Sequence, residues 1–210
     1  MKKNILFLHT GGTISMKMSV DGAVLPNERN PIIDAKESLA GYANTVEIEA
    51  FNLPSPHITP TEMLTLRNLI ITQTQLYKID GVVITHGTDT LEETAYFLDL
   101  TTNFDFPIVI TGAMRSSNEL GADGIYNLVE AVRVACDEKA RGKGVLVVMN
   151  DEIHQAFNIT KTSTSSVNTF QSPQYGPIGL VTKKAIHIQQ QPVRRQYVPL
   201  EHITKRVALL

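Results

Sequence analysis

The sequence predicts an α/β protein in which helices cover both faces of a mainly parallel sheet. Three observations carry this expectation. Short β-branched apolar runs alternate along the chain with segments of helical period. Most of these runs are continuous rather than alternating in polarity, as strands buried on both faces require. Polar residues and glycines then cluster directly after each run, at the edge where such sheets bind their ligands. Strand, helix, strand, helix in this order describes a Rossmann-like layered sheet with right-handed crossovers.

Five runs read as strands: NILFL (Asn4–Leu8), VEIEAF (Val46–Phe51), GVVIT (Gly81–Thr85), PIVIT (Pro107–Thr111) and GVLVVM (Gly144–Met149). Between the second and third, Met63, Leu66, Ile70 and Thr74 recur near a period of 3.6, which predicts a helix. After the third strand, Thr90 followed by Glu93 fits a capping box that starts a helix at Leu91. After the fourth, Ile125, Leu128, Val129, Val132 and Cys136 form one apolar stripe. The run QQQPVRRQYVP has the composition of a linker.

Composition bounds the function. The chain has 210 residues, 42% of them hydrophobic, and a net charge of −2, which fits a packed domain and gives no reason to expect a nucleic-acid or acidic-membrane partner. Its single cysteine, Cys136, excludes an internal disulfide and a Cys-based zinc cluster, and its place on a helix stripe predicts packing. No apolar stretch approaches the ~20 residues of a membrane span, and MKKNILFLHTGG is too short in apolar residues for a signal peptide. A cytoplasmic protein acting on a small molecule is expected.

The segments after the strands hold the chemistry. HTGGTIS follows the first strand, NLPSPH the second, HGTDT the third, GAMRSS the fourth and NDEIHQAFNITKTS the fifth. Gly11 and Gly12 allow a tight turn that brings backbone N–H groups to a ligand. Thr13 behind them reads either as a capping threonine or as a nucleophile, and a nucleophilic threonine needs a base elsewhere. Asp89 reads as a carboxylate at a helix start, favoured there by the dipole, or as part of a hydroxyl–lysine–carboxylate set with Thr88 and Lys161. Lys161 alone reads as a solvated loop lysine; in that company it reads as a base. His9 and His86 flank these segments as packing or hydrogen-bonding residues. With the other four histidines they show no metal-ligand spacing. Arg115 and Asp123 read as a structural pair at the rim. The absence of G-x-G-x-x-G and of a P-loop disfavours a nucleotide-binding protein.

The segments TGGTIS and ITHGTDTLEETAYFLDL resemble the two signature segments of the bacterial L-asparaginase family. The likeness continues through PIVITGAMRSSNELGADGIYNL, GVLVVMND and ITKTSTSSVNTFQSPQYGPIG. It runs in order from Ile5 to Gly179 without large gaps. The resemblance implies hydrolysis of L-asparagine to L-aspartate and ammonia through an acyl-threonine, without metal or cofactor. It implies Thr13 as the nucleophile and Thr88, Asp89 and Lys161 as a second triad. Asp89 would also hold the substrate α-amino group and Ser55 its α-carboxylate. The backbone around Ala113 would contact the side-chain amide, and N–H groups near Gly12 and Thr88 would form an oxyanion hole. One such donor lowers a barrier by ~3–4 kcal/mol.

Two departures stand out. The segment MKMSVDGAVLPNERNP lacks the tyrosine that assists the nucleophile in many relatives, and Pro56 stands where some carry a substrate-binding glutamine. The second bears on asparagine versus glutamine as substrate. Other readings are the amidase subunit of an archaeal-type tRNA-dependent amidotransferase, disfavoured because the signature begins at Thr10, and a non-catalytic amino-acid-binding domain. The resemblance also implies a homodimer or homotetramer. It further implies that residues 1–190 are an N-terminal catalytic domain and 191–210 a linker with the first strand, RVALL, of a truncated C-terminal domain. A partner's C-terminal domain would complete each site, so poor hydrolysis or none, together with self-association, is expected of this chain.

Overall fold

The computed structural model describes residues 2–19, 24–26, 39–191 and 196–205, with side chains described outside 15–18 and 24–26. The expected RVALL strand, Arg194 and Arg195, and much of the segment after the first signature lie outside the described residues.

Twelve strands are described: β1 (Lys3–His9), β2 (Met16–Met18), β3 (Val24–Pro26), β4 (Ala43–Glu49), β5 (Gly81–Thr85), β6 (Ile108–Thr111), β7 (Val145–Met149), β8 (Glu152–Gln155), β9 (Thr160–Lys161), β10 (Phe170–Gln171), β11 (Gly179–Val181) and β12 (Ile186–Ile188). Three α-helices are described: α1 (Pro60–Leu76), α2 (Leu91–Thr101) and α3 (Gly124–Cys136). Eight strands form one sheet in the order β12-β11-β8-β7-β6-β5-β1-β4. From β4 to β7 every pairing is parallel; from β7 to β12 every pairing is antiparallel. The five expected strands are all present, and the antiparallel extension is an addition that their run pattern did not announce.

The continuous apolar strands work by splitting their residues between two cores. Ile5, Phe7, Val83, Val109, Leu146 and Val148 face α3 with Leu128, Ala131 and Val132. Their neighbours Leu6, Leu8, Val82, Ile84, Ile110 and Val147 face the other way, onto Leu66 and Ile70 of α1 and Leu91, Ala95 and Leu98 of α2. Side chains alternate across a strand, so a strand buried on both faces must be apolar throughout. Of the five parallel strands the edge strand β4 is the one that is largely half-exposed, and it carries Glu47 and Glu49.

Some local expectations need correction. Helix α2 does begin at Leu91, but no capping box forms, because the Thr90 hydroxyl donates to the Ser55 carbonyl at 2.7 Å instead. The true capping box starts α1, where Thr59 and Glu62 bond reciprocally. In α3, Ile125 is 42% exposed while Asn127 and Glu130 are buried. The fifth post-strand segment is no open loop: Asn150 and Asp151, both at positive φ, turn the chain directly into β8.

Candidate functional site

Strand β4 lies on one side of β1 and β5 on the other, so the segments leaving the carboxyl ends of β1 and β5 head apart and open a crevice. The floor of that crevice is made by close backbone contact. Gly11 and Gly12 adopt φ of 97° and 84°, a region open to glycine at little cost. A Cβ on Gly12 would stand 2.3 Å from Gly87 Cα, and one on Gly87 would stand 2.7 Å from Ser55 Oγ. The turns after β1, β4 and β5 are therefore packed together with no space for side chains between them.

Ser55 ties these turns further. Its Oγ accepts from the Asp89 N–H at 3.0 Å while its carbonyl accepts from the Thr90 hydroxyl. His86 is fully buried. Its Nδ1–H donates to the Gly87 carbonyl at 2.7 Å and its Nε2 accepts from Thr94 Oγ1 at 2.9 Å. Burial pulls its pKa down to about 4, so it is a neutral strut for the corner. His9 is likewise buried and its pKa lowered by burial; its ring bonds Thr85 Oγ1 at 3.0 Å. Both histidines are hydrogen-bonding residues, as expected.

The crevice holds a cavity of about 220 Å³ lined by Gly12, Thr13, Ser55, Thr88, Asp89 and Lys161, with Pro54, Pro56, Gly87, Met114 and Thr164 completing the wall. Thr13 opens a 3-10 turn directly after the two glycines and is half-buried. Thr88 and Asp89 lie in the 3-10 turn that runs into α2. Lys161 arrives from β9, more than seventy residues later in the chain, and its Nζ donates to Thr88 Oγ1 at 2.9 Å and to Asp89 Oδ1 at 2.6 Å. The lysine side chain is 17% exposed and the aspartate 59%: the amine is sheltered while the carboxylate keeps a face toward the opening.

Of the residues picked from sequence, Gly12, Thr13, Ser55, Thr88, Asp89 and Lys161 line one cavity. Ala113 does not; it is 1% exposed, behind Met114, which does line the wall. Asp123 holds that turn by accepting the backbone N–H groups of Met114 and Arg115. Arg115 and Asp123 do pair, through the Arg115 backbone N–H at 3.0 Å, while the Arg115 guanidinium donates to the Gly121 carbonyl at 2.9 Å. Sequence reasoning missed Glu92, whose carboxylate accepts from the Lys161 N–H and, at 3.1 Å, from Thr160 Oγ1. Nothing local to LEET signals this, because its partners come from 68 and 69 residues away. Among the described residues no group of three or more His, Cys, Asp or Glu could hold a metal ion, and no helix is long and apolar enough to cross a membrane.

A doubly covered, mainly parallel sheet that gathers two threonines, a carboxylate and a sheltered lysine at its carboxyl edge defines an α/β protein with a hydroxyl-based site. Residues 4–194 match the family described as Asparaginase, N-terminal, and the chain belongs to that family. It is 42% identical over 198 residues to L-asparaginase 2 of Escherichia coli, covering 91% of this chain and 56% of that protein. It is 37% identical over 212 residues to a glutaminase-asparaginase of Pseudomonas aeruginosa, covering 99% and 58%. The crystal structure of a probable cytoplasmic L-asparaginase from Campylobacter jejuni superposes with a TM-score of 0.87 at 35% identity, over 93% of this chain and 61% of that one. The chain thus spans little more than half the length of these relatives.

Proposed function

We propose that this chain carries the amide-hydrolysing site of an L-asparaginase, converting L-asparagine and water to L-aspartate and ammonia. One observation carries the reading: Lys161 Nζ bonds both Thr88 Oγ1 and Asp89 Oδ1 on the wall of a cavity that Thr13 also lines. Thr13 Oγ attacks the side-chain carbonyl carbon, and the Thr88–Lys161 pair moves protons. The amide nitrogen leaves as ammonia and water then opens the acyl ester. Ser55 Oγ accepts from the backbone, which leaves its own proton to donate to the substrate α-carboxylate. Asp89, with its exposed face, suits the α-amino group. The turn holding Ala113 and Met114 would meet the amide, and the backbone at Gly12 and Thr88 would receive the oxyanion.

The test is ammonia release from L-asparagine and L-glutamine, with Thr13→Ala as the control. Activity lost at unchanged thermal stability supports the reading; normal turnover in the variant overturns it. Self-association as a homodimer or homotetramer belongs to the same proposal, and sedimentation measures it. So does a cytoplasmic setting. The Campylobacter structure is described as cytoplasmic, whereas a Haemophilus influenzae relative at 42% identity is named periplasmic, and cell fractionation decides between the two.

A further inference from the structure

The lysine of the site sits on β9, two residues long and paired only with β10 in a separate two-stranded ribbon. A ribbon this small does not hold a side chain in place by itself. Its position comes from what ties it to the rest of the molecule, and one tie lies directly beneath the lysine. Glu92 stands in the first turn of α2. Its two carboxylate oxygens accept from the Lys161 backbone N–H and the Thr160 hydroxyl, one each. Four and three residues earlier on the same stretch, Thr88 and Asp89 accept from the Lys161 ammonium. A single turn of chain therefore grips both ends of Lys161, its amide and its amine. The other side of the ribbon is tied to the main sheet, where His154 Nδ1 of β8 bonds Ser172 Oγ, next to β10, at 2.9 Å.

We infer that Glu92 is a positioning residue for Lys161: by clamping the β9 backbone to the start of α2 it sets the distance from Nζ to Thr88 and Asp89. This rests on the amidohydrolase reading of the site. Glu92 touches none of the cavity, so its effect passes through the lysine. A helix-start glutamate has a bland use as well, since the dipole favours negative charge there, and the two roles separate by chemistry. The clamp needs an acceptor for the Lys161 N–H and a partner for Thr160; the dipole needs only charge. Glutamine preserves the first and lacks the second, because its Oε1 accepts the N–H while its Nε2 donates to the Thr160 hydroxyl. Alanine lacks both.

The experiment compares wild type, Glu92→Ala and Glu92→Gln in asparagine hydrolysis, with amide hydrogen exchange at Lys161 as a readout independent of turnover. Loss of the clamp frees the ribbon by an ångström or so, which costs ~10- to 100-fold in rate where geometry governs the step. Glu92→Ala is expected to lower kcat by that factor with KM within about threefold and to speed Lys161 amide exchange. Glu92→Gln is expected to retain most of kcat and the protection. Equal damage in both variants, or a change confined to KM or to melting temperature, overturns the inference. Should wild type release no ammonia, as a site that a partner's C-terminal domain completes would also give, Lys161 exchange alone judges the clamp: protection lost in alanine and kept in glutamine upholds it, and protection kept in alanine overturns it.

Discussion

Replacing Glu130 with glutamine should change how stability depends on pH. Glu130 lies on α3, 2% exposed, with one oxygen accepting the Asp151 N–H at 3.1 Å and the other, Oε1, without a donor. Burial first, and then the Asp151 carboxylate beside it, push its pKa from 4.5 up to about 7. The raised value means that the folded protein keeps a proton which the unfolded chain releases. The stabilisation is fully present below pH 4.5 and is lost as pH rises through about 7. A rise of this size corresponds to about 3 kcal/mol. Glutamine imitates the protonated acid, its Nε2 standing where the proton would bridge to Asp151. The variant should match wild type to within about 1 kcal/mol at pH 5 and exceed it by up to about 3 kcal/mol at pH 8. Urea denaturation at the two pH values measures this. Only the difference between the proteins matters: the low pKa values of His86 and His154, both about 4, destabilise the fold in acid, but equally in both. No gain at pH 8, or the same gain at both pH values, would refute the argument.

Other expectations follow from the site and its frame. Lys161→Met should lower kcat by ~10²- to 10⁴-fold with little change in KM, because in the proposed mechanism the amine moves protons and does not hold substrate; Asp89→Asn should impair both, and steady-state kinetics separates the two patterns. Gly12→Ala should destabilise by at least ~1–2 kcal/mol from φ alone, with more from the 2.3 Å approach to Gly87, and an unchanged denaturation midpoint would contradict the packed-turn account. Cys136, whose thiol burial pushes from 9.0 up to about 11, should react with iodoacetamide at pH 8 roughly 100-fold more slowly in the native protein than in the unfolded chain, as alkylation followed by mass spectrometry would show.

Much of the molecule is legible in its sequence, for a local reason. A strand buried on both faces must be apolar at every position, so GVVIT and GVLVVM announce β5 and β7 nearly to the residue. Ligand sites in such sheets fall after the strands, so Gly12, Thr13, Thr88 and Asp89 could be picked from their place in the chain, with Lys161 joining them as the lysine of a hydroxyl–lysine–carboxylate set. The resemblance to asparaginases singled out the same residues and added Ser55 and Ala113, and the family assignment agrees with it. Tertiary structure decided the rest, because those choices are made by partners distant in sequence. The hydroxyl of Thr90 could cap its own helix or bond the Ser55 carbonyl, and only the packing of Gly12 on Gly87 on Ser55 brings that carbonyl within reach. Glu130 looks like a surface residue until α3 is laid against β7 and its turn. Glu92 is one of two adjacent glutamates at a helix start until a strand from nearly seventy residues later sets its backbone on the carboxylate. Periodicity records which face of an element is buried; it carries no record of which distant polar group will meet it there.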